Sequence, residues 1–348
     1  KETERPVSKL RPKAPITALD SDNIFEVAKK MANSRVDAAL LLDADGSLSG
    51  IITDNDVTRR VIAQAISAES TLASSVMTKN PKCVQNSDSA LDALEMMVDN
   101  RFRHLPVMDE QGVVVGLLDI AKCLYDAISV LEKVQGDEGG SSGAGGDANV
   151  VAKAMTDAMR KAGGKNKTQL MAIQAMMEQM FGGAVPTLRT IIGEGDVRSV
   201  LPTSTVAEAS RLMAEMRKGV LVMDRAQSQQ LLGIITPKDL LNRVIAKGLS
   251  PEQTLVSAVM TPNPDCVTGD LTLLEALREM YEHKYLHLPV REEDGRVVGI
   301  VDVMELVCST AGGSGGKGWR DFFSGAMAAG VDDLSETAST ISAVSDRL

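Results

Sequence analysis

The amino-acid sequence predicts an α+β fold of four related β-α-β-β-α units that pair into two modules, with extra linker helices. The first observation is an ungapped repeat: 35 of the 70 positions from Gly50 to Asp119 carry the same residue 183 positions later. The second is a shorter offset of 66 residues, which relates Gly50 to Gly116 and Gly233 to Gly299. Internal repeats of this kind indicate supersecondary units that bury their apolar faces against one another.

The elements of the first unit follow from hydrophobic periodicity. Apolar residues with helical spacing at 24–31 predict a helix, and the aliphatic run Ala38–Leu42 predicts a strand that enters a tight turn at Gly46. A short apolar strand is expected at 48–52, followed by a helix over about 54–65. This gives the order strand, helix, strand, strand, helix.

The second unit repeats this order. We expect a helix over 91–97, a strand at 105–107, a turn at Gly112, a strand at 113–118 and a helix over 121–131. A unit of about 60 residues buries too little surface to be stable alone, so two units should pack sheet to sheet and share a core.

These elements divide the chain into four parts. A first module at 1–134 contains units at 7–66 and 70–131, and a Gly-rich linker with Met-rich helices follows at 135–186. A second module at 187–310 contains units at 187–249 and 253–309, and a Gly-rich tail with a short aromatic helix covers 311–348. The linker helices, at 150–159 and 169–181, could cover an exposed face, bridge the modules or contact a partner. Trp319, Phe322 and Phe323 must either dock on the protein or form a short recognition element.

Composition excludes several functional classes. A net charge of -10 argues against nucleic acid as the main partner, and no apolar run approaches the roughly 20 residues that span a bilayer. Four cysteines are too few for a disulfide scaffold and show no zinc-ligand spacing, which favours a reducing, cytoplasmic location. The missing initiator methionine leaves organelle targeting open. With three histidines and no nucleophile, metal or phosphate-loop motif, we do not expect an enzyme.

Several motifs recur in order along the chain. GIITDND at 50–56 returns as GIITPKD at 233–239, VMTKNP at 76–81 as VMTPNP at 259–264, and HLPV at 104–107 as HLPV at 287–290. These motifs resemble those of CBS domains, the units named after cystathionine β-synthase that pair into Bateman modules. FRHLPV at 102–107 and VMTPNP are most similar to plant and fungal proteins that join four CBS motifs to a C-terminal Phox/Bem-type domain. No such domain is recognisable in this sequence.

The first and third units carry a candidate nucleotide site. A strand that ends at Thr53 and a helix that begins at the next residue place a hydroxyl and open backbone amides where a phosphate could bind. Asp56 could accept hydrogen bonds from the two cis hydroxyls of a ribose, and Thr236 and Asp239 would act in the same way. The resemblance implies the same roles, with adenine held against strand edges. The structural alternative is a helix capping box.

Basic residues for the phosphates are expected across each module. Arg103 and His104 would face the site of the first unit, whereas Leu286 and His287 occupy the corresponding positions in the second module. Because only Arg clamps a phosphate with two bonds, the first module should bind more tightly or prefer more highly phosphorylated ligands. A structural hydrogen bond at a strand end is the alternative role for both histidines.

The second and fourth units lack the Thr and Asp pair. They read Asp119-x-x-Lys122 and Asp302-x-x-Glu305, and an acid at the phosphate position would repel an anion, so we expect both sites to be empty.

Two functions remain open. The first is a regulatory sensor that binds AMP, ADP, ATP (with Mg²⁺) or another adenosyl ligand and transmits the ligand state to an unidentified protein partner. The second is a self-associating scaffold whose modules stack into discs as a homo-oligomer, with ligand only structural or absent. A sensor's affinity for its partner must change with ligand, whereas that of a scaffold need not.

Overall fold

The first module contains two units with the predicted element order. A computed structural model describes residues 5–137, 186–193, 195, 197–224, 230–309 and 315–329. The first unit contains β1 (Thr17–Leu19), α1 (Ile24–Asn33), β2 (Ala38–Leu42), β3 (Leu48–Thr53), α2 (Asp54–Arg60), a 3₁₀ turn (Ile62–Gln64), α3 (Ala73–Val76) and β4 (Thr78–Lys79). The second contains β5 (Val84–Gln85), α4 (Ala90–Asp99), β6 (His104–Met108), β7 (Val114–Asp119) and α5 (Ile120–Asp137).

The second module repeats this arrangement and is followed by one further helix. Its third unit contains α6 (Leu188–Ile192), β8 (Ser199–Val200), α7 (Val206–Met216), β9 (Val220–Asp224), β10 (Gln230–Ile235), α8 (Pro237–Arg243), a 3₁₀ turn (Ile245–Lys247), α9 (Val256–Val259) and β11 (Thr261–Pro262). The fourth unit contains β12 (Val267–Thr268), α10 (Leu273–His283), β13 (His287–Arg291), β14 (Val297–Asp302) and α11 (Val303–Ser309), and α12 (Gly315–Ala329) follows. The α+β fold of paired units is therefore confirmed.

Each unit has its own small mixed sheet. The first and third sheets have the orders β1-β2-β3-β4 and β8-β9-β10-β11, and the second and fourth have the orders β5-β6-β7 and β12-β13-β14. The central hairpins are antiparallel, and β1 joins β2 in parallel. The hairpin turns contain Gly46 and Gly112 with φ of +81° and +80°, a conformation that glycine adopts without steric cost.

The glycine that begins the repeated GIIT motif, Gly50 or Gly233, has a packing reason. An added Cβ on Gly233 would lie 2.6 Å from Met260 Sδ, and one on Gly50 would collide with Met77 in the same way. The strand glycine and the methionine of the Val-Met-Thr segment are therefore repeated together, because each module packs the methionine directly against the strand backbone.

The two main hydrophobic cores connect the modules. One core joins the first unit to the third and includes Met31, Ile52 and Leu240. The other joins the second unit to the fourth and includes Leu94 and Leu277. The expected sheet-to-sheet contact also exists in the second module, as a smaller cluster formed by Leu221, Met223, Ile234, Val297 and Ile300. Most of the apolar burial thus holds one module against the other.

The aromatic helix α12 docks on the protein. Trp319, Phe322 and Phe323 are 1%, 0% and 2% exposed and belong to the core of the second and fourth units. Trp319 Nε1 donates a 2.7 Å hydrogen bond to the carbonyl of Val307, and Arg320 contacts carboxylates of α4. Docking, one of the two alternatives, is therefore the observed arrangement for these aromatic residues.

Some element boundaries differ from the predictions. Helix α2 ends at Arg60, and the chain then forms a 3₁₀ turn that closes at Ala65 with φ of +53°, so the helix expected over 54–65 is two elements. Helix α5 continues to Asp137, into the segment that we assigned to the linker. The helices predicted at 150–159 and 169–181 lie outside the described residues. In the described part of the chain, no helix has both the length and the apolar character needed to cross a bilayer.

Candidate nucleotide site

Thr53 and Asp56 form a complete capping box at the start of α2. The backbone N–H of Asp56 donates to Thr53 Oγ1 at 3.2 Å, and Asp56 Oδ2 accepts from the backbone N–H and hydroxyl of Thr53 at 3.0 and 2.8 Å. Thr236 and Asp239 form the same box at α8, with distances of 3.3, 2.9 and 2.7 Å. The structural alternative is thus present in both units.

The second carboxylate oxygen of each aspartate has a different environment. Asp56 Oδ1 lies 3.4 Å from the Arg60 guanidinium, and Asp239 Oδ1 lies 3.3 Å from that of Arg243. The two carboxylate side chains are only 12% and 13% exposed. Burial raises the pKa of Asp239, although hydrogen bonds from Thr236 oppose this. Because each carboxylate oxygen has two acceptor positions, Oδ1 keeps acceptor capacity beside the arginine.

The backbone amides at the start of α2 have partners within the protein. Asp54 N–H donates to the carbonyl of Asp37 at 3.0 Å, Asn55 N–H donates to Asp54 Oδ1 at 2.8 Å, and the amide of Asp56 is used by the cap. The expectation of open amides for a phosphate is therefore wrong for α2. One reason is local, since the carboxylate of Asp54, the residue after Thr53, accepts a hydrogen bond from the amide of Asn55.

Arg103 and His104 contact Asp37 of the first unit. Arg103 Nη2 lies 2.6 Å from Asp37 Oδ2 and 3.5 Å from Asp119 Oδ2, and His104 Nε2 lies 3.4 Å from Asp37 Oδ1. Asp37 immediately precedes β2, so these contacts connect the two units of the module. The buried Nε of Arg103 has no hydrogen-bond partner among the described residues. The guanidinium thus keeps unused donor capacity next to the site of the first unit.

The charges in this cluster are strongly coupled. Burial alone would raise the pKa of Asp37, but the hydrogen bond from His104 and the charge of Arg103 hold it well below its ordinary value. Burial, and then the negative charge of Asp37, raise the pKa of Asp54 to about 6. Burial would lower the pKa of Arg103, but the charges of Asp119 and Asp37 raise it above its usual range. Arg103 is therefore a permanent cation among three carboxyl groups.

In the second module, His287 approaches the site of the third unit. An added Cβ on Gly219 would lie 3.2 Å from both Thr236 Cγ2 and His287 Cδ2, so both side chains lie next to this glycine. Burial, and then the charges of Arg103 and Lys218, lower the pKa of His287 to about 3, which keeps the imidazole neutral near pH 7. His287 can therefore donate or accept a hydrogen bond but offers no charge to a phosphate.

Each module has an ion pair between its two units, and the polarity is reversed between modules. In the first module, Asp37 of the first unit pairs with Arg103 of the second. In the second module, Lys218 Nζ of the third unit lies 3.0 and 2.8 Å from the two carboxylate oxygens of Glu305 in the fourth. Asp37 and Lys218 are equivalent in the structure, since each lies four residues before the strand residue paired with the repeated glycine of β3 or β10.

Asp37 and Lys218 were not found from the sequence. The 183-residue offset is ungapped only from Gly50 onward, whereas Asp37 and Lys218 are 181 residues apart, so the comparison at 183 did not align them. The usable signal was the strand register, which can be predicted by pairing β2 with β3 from their turn.

A cleft opens between the third and fourth units. Its volume is about 160 Å³, and its walls are formed by the end of α7, by β9, by β14 and by Gly195, Val197 and Arg198. The apolar lining residues are Ile192, Val197, Met216, Leu221, Val298 and Ile300. Lys218 stands at this cleft and also donates a 2.8 Å hydrogen bond to the carbonyl of Ile300.

One group of side chains in the first module has ligand atoms close enough for a metal ion. Oxygen or nitrogen atoms of Asp37, His104 and Asp119 lie within 4.8 Å of one another. The guanidinium of Arg103 contacts both carboxylates. A divalent cation would have to displace this arginine, so the cluster fits an internal ion pair better than a metal site.

Comparison with known proteins agrees with the repeat structure. The family model for the CBS domain matches residues 7–63, 73–125, 192–246 and 256–308. The CBS domain-containing proteins CBSCBSPB3 and CBSCBSPB2 of Arabidopsis thaliana are 39% and 43% identical to the chain, over 98% and 87% of its length. The chain spans 60% and 53% of those two proteins.

More distant proteins share the same organisation. The meiotically up-regulated gene 70 protein of Schizosaccharomyces pombe is 28% identical over 81% of the chain, which spans 40% of that protein. A solved structure from Methanocaldococcus jannaschii, described as a candidate archaeal homolog of g-AMPK, superposes with a TM-score of 0.56. It is 14% identical and covers 87% of this chain and 98% of its own, a likeness that shows the fold alone.

Proposed function

Because the chain belongs to the family of CBS-domain proteins, we propose that it is a non-catalytic regulatory protein that binds adenine nucleotides between paired units. The ligand would be AMP, ADP, ATP with Mg²⁺ or a related adenosyl compound. Binding would change the relative position of the units and thereby the affinity for a protein partner. The proposal includes a cytoplasmic location and self-association through stacked modules.

The observation that carries this proposal is the meeting of two motifs from different units. The capping box of Thr53 and Asp56 lies beside Asp54, whose carboxyl group interacts electrostatically with Arg103 and His104 of the neighbouring unit. The proposed site would therefore combine a buried carboxylate, a hydroxyl, an arginine and an imidazole. Carboxylate for ribose and arginine for phosphate are complementary to the two polar ends of a nucleotide.

Ligand binding would exchange one set of ion pairs for another. Arg103 is held by Asp37 and Asp119, so a phosphate must compete with two carboxylates for the guanidinium. When the phosphate takes it, Asp37 keeps only His104 as a partner in the second unit, and the contact between the units weakens. The energy of this exchange links nucleotide occupancy to the geometry of the module.

The state of the cysteines is consistent with a non-catalytic role. The structure describes Cys83, Cys123, Cys266 and Cys308, and burial raises the pKa of each thiol, that of Cys123 to about 12. A nucleophilic cysteine requires a lowered pKa, so none of the four is poised for covalent chemistry.

The scaffold function has one specific observation in its favour. The large hydrophobic cores join the first unit to the third and the second to the fourth, so apolar packing holds the two modules together without any ligand contact. In this second candidate function, nucleotide would add stability but would not change the affinity for a partner.

Calorimetric titration tests the proposal. AMP, ADP, ATP and S-adenosylmethionine are titrated into the intact chain and into the Asp56→Asn and Asp239→Asn variants. We expect at least one nucleotide to bind with a Kd below the millimolar range and both substitutions to weaken it. Absence of submillimolar binding for all four compounds would end the nucleotide proposal. Binding that leaves self-association and pull-down of cellular partners unchanged would favour the scaffold.

A further inference from the structure

Exposed apolar side chains gather where the first and third units meet. In the described part of the chain, eight large hydrophobic residues are exposed, and six of them belong to these two units. The six are between 39% and 50% exposed and form two matched sets: Leu19, Ile66 and Leu72 in the first unit, and Leu201, Leu249 and Leu255 in the third. We call the surface that these six residues form the first–third edge.

In the first unit, this surface is built around the start of α1. The loop after the 3₁₀ turn carries both Ile66 and Leu72. Leu72 forms a bridge with Asn23, the cap residue of α1, and the backbone N–H of Phe25 donates to the carbonyl of Ala68 at 3.0 Å. The loop is therefore fixed against the first turn of the helix.

The third unit repeats these contacts at the start of α7. Leu255 forms a bridge with Thr205, the cap residue of α7, and the backbone N–H of Ala207 donates to the carbonyl of Pro251 at 3.0 Å. Pro251 lies two residues after Leu249, as Ala68 lies two residues after Ile66 in the first unit. The same backbone therefore presents the same apolar positions twice.

The two sets adjoin each other across the contact between the units. The 3₁₀ turn of each unit packs against the first helix of the other unit. An added Cβ on Gly248, next to Leu249, would lie 3.6 Å from Phe25 Cε2. Leu19 and Leu201 each precede the cap residue of their helix by four residues, which places them at the same end of α1 and α7. The first–third edge is thus one surface with an approximate twofold arrangement.

The second unit covers its corresponding surface with α12. Helix α4 begins after its cap Ser89 as α1 begins after Asn23, and Arg320 of α12 contacts Asp92 and Glu95 in the first two turns of α4. Helix α12 lies along α4 and α5 and buries its three aromatic side chains in the core of the second and fourth units. Among the described residues, no such helix covers the first–third edge.

The apolar area at this edge suits a protein interface. At about 80 Å² for each side chain, the six residues present roughly 500 Å² of apolar surface, the size of the largest patch on a typical monomer. Two such surfaces facing each other, together with their polar rims, would exceed the roughly 1,000 Å² in total that a specific interface needs. This area is at the lower end for stable complexes, so we expect a dissociation constant in the micromolar range.

The charged groups of α1 beside this surface are balanced within the chain. Lys30 Nζ lies 2.8 Å from Asp22, and Lys29 Nζ lies 3.7 Å from Glu26. These four groups have no net charge, so they do not select an acidic or a basic partner. A twofold array of apolar side chains is instead complementary to an identical array, because each residue of an isologous interface meets its own counterpart.

We infer that two copies of this chain associate through the first–third edge. The inference rests on the self-association that the proposed function includes, and it names the surface that would carry it. Nucleotide is not required for this contact. Because the chain has a net charge of -10, screening by salt should strengthen a dimer that apolar contacts hold together.

Sedimentation velocity of the intact chain, from micromolar to submillimolar concentrations, tests the inference. The parent should form a dimer, and the double substitution Leu72→Gln and Leu255→Gln should raise its dissociation constant at least about tenfold. The matched control is Val113→Gln with Val115→Gln, since these residues of the second unit are 60% and 43% exposed and lie outside the edge. The control should dimerise like the parent, and thermal unfolding of both double variants confirms that they are folded.

The single substitutions and the salt dependence sharpen the test. Leu72→Gln and Leu255→Gln should weaken the dimer by similar factors, because their positions are equivalent in the two units. Raising the salt concentration should tighten the parent dimer. Association that weakens as salt is added would contradict apolar contacts as its source, and a species larger than a dimer would contradict a twofold interface.

The outcomes separate this inference from the proposed function. A parent dimer that Leu72→Gln with Leu255→Gln leaves unchanged would overturn the first–third edge but keep self-association through another surface. A parent that stays monomeric throughout would overturn both the edge and the self-association. Nucleotide binding is measured independently by the calorimetric titration, so neither result decides it.

Discussion

Replacing Asp54 by Asn should stabilise the protein in a manner that depends on pH. Asp54 is 5% exposed, and its pKa is raised from 3.8 to about 6, first by burial and then by Asp37. Arg103 and His104 oppose this rise but do not cancel it. An asparagine keeps the side-chain oxygen that accepts from Asn55 N–H at 2.8 Å, so the local hydrogen bond survives the change.

The sign follows from proton binding. Between pH 3.8 and about 6 the folded protein holds a proton on Asp54 that the unfolded chain has released, so the free energy of unfolding falls as pH rises through this window. At about 1.4 kcal/mol for each pH unit, the full effect is about 3 kcal/mol, reached above pH 6. The asparagine variant lacks this titration. Its advantage over the parent should therefore grow from near zero at pH 4 to at most about 3 kcal/mol at pH 7.

Urea unfolding followed by circular dichroism at pH 4, 5, 6 and 7 measures the difference. Asp45→Asn, in an exposed turn, is the control for the loss of one negative charge. A difference between Asp54→Asn and the parent that is constant with pH, or that increases on acidification, would refute the reasoning. It would mean that Asp54 ionises in the folded protein as readily as in the unfolded chain.

Three further predictions concern stability. His287 has a pKa of about 3 because it is buried, so the unfolded chain takes up a proton before the folded protein does as pH falls below 6.5. The free energy of unfolding of the parent should therefore fall by up to about 5 kcal/mol between pH 6.5 and 3, and His287→Gln should flatten this dependence in urea titrations. Arg103→Met should destabilise the protein by about 2–3 kcal/mol because it leaves carboxylates unpaired. A double-mutant cycle with Asp37→Asn should show a coupling free energy of about 1–3 kcal/mol, and additive effects would contradict the ion pair. The Trp319 indole is 1% exposed and hydrogen-bonded to Val307, so Trp319→Ala should reduce the free energy of unfolding by about 3–5 kcal/mol and Trp319→Phe by less. Thermal unfolding measures this, and an unchanged melting temperature would show that α12 does not hold the modules together.

The repeated elements could be predicted from sequence because their signals are local. The glycine at Gly50, the turn at Gly46 and the aliphatic runs each determine the conformation of a few residues, and the 183-residue repeat returns the glycine as Gly233. The partner of each helix face could not be predicted in this way. An apolar stripe on α1 shows that the helix is buried but does not show whether it packs on its own module or on the other. The structure shows that it shares a core with the third unit.

For the candidate site too, the motif residues could be predicted from sequence but the contacts between units could not. Thr53 and Asp56 were found from their spacing, but the spacing suits both a capping box and a ribose site, and the structure contains the capping box. Asp37 and Lys218 were missed because the offset between them is 181 rather than 183. Glu305 was classed as degenerate because its importance depends on Lys218, which lies 87 residues away in the chain. Contacts between units are set by sheet register and packing, which single motifs do not encode.

The affinity of Asp56→Asn for AMP, compared with that of Glu275→Gln, tests the central claim most directly. Thr272 and Glu275 form the same capping box at α10, with a backbone bond of 2.9 Å and a hydroxyl bond of 2.8 Å, away from the candidate sites. Both substitutions remove one charge from one cap, so they should reduce stability by similar amounts. If Asp56 binds ribose, calorimetry should show AMP binding at least about tenfold weaker in Asp56→Asn and unchanged in Glu275→Gln. Equal affinities in the two variants would show that Thr53 and Asp56 serve only to cap the helix.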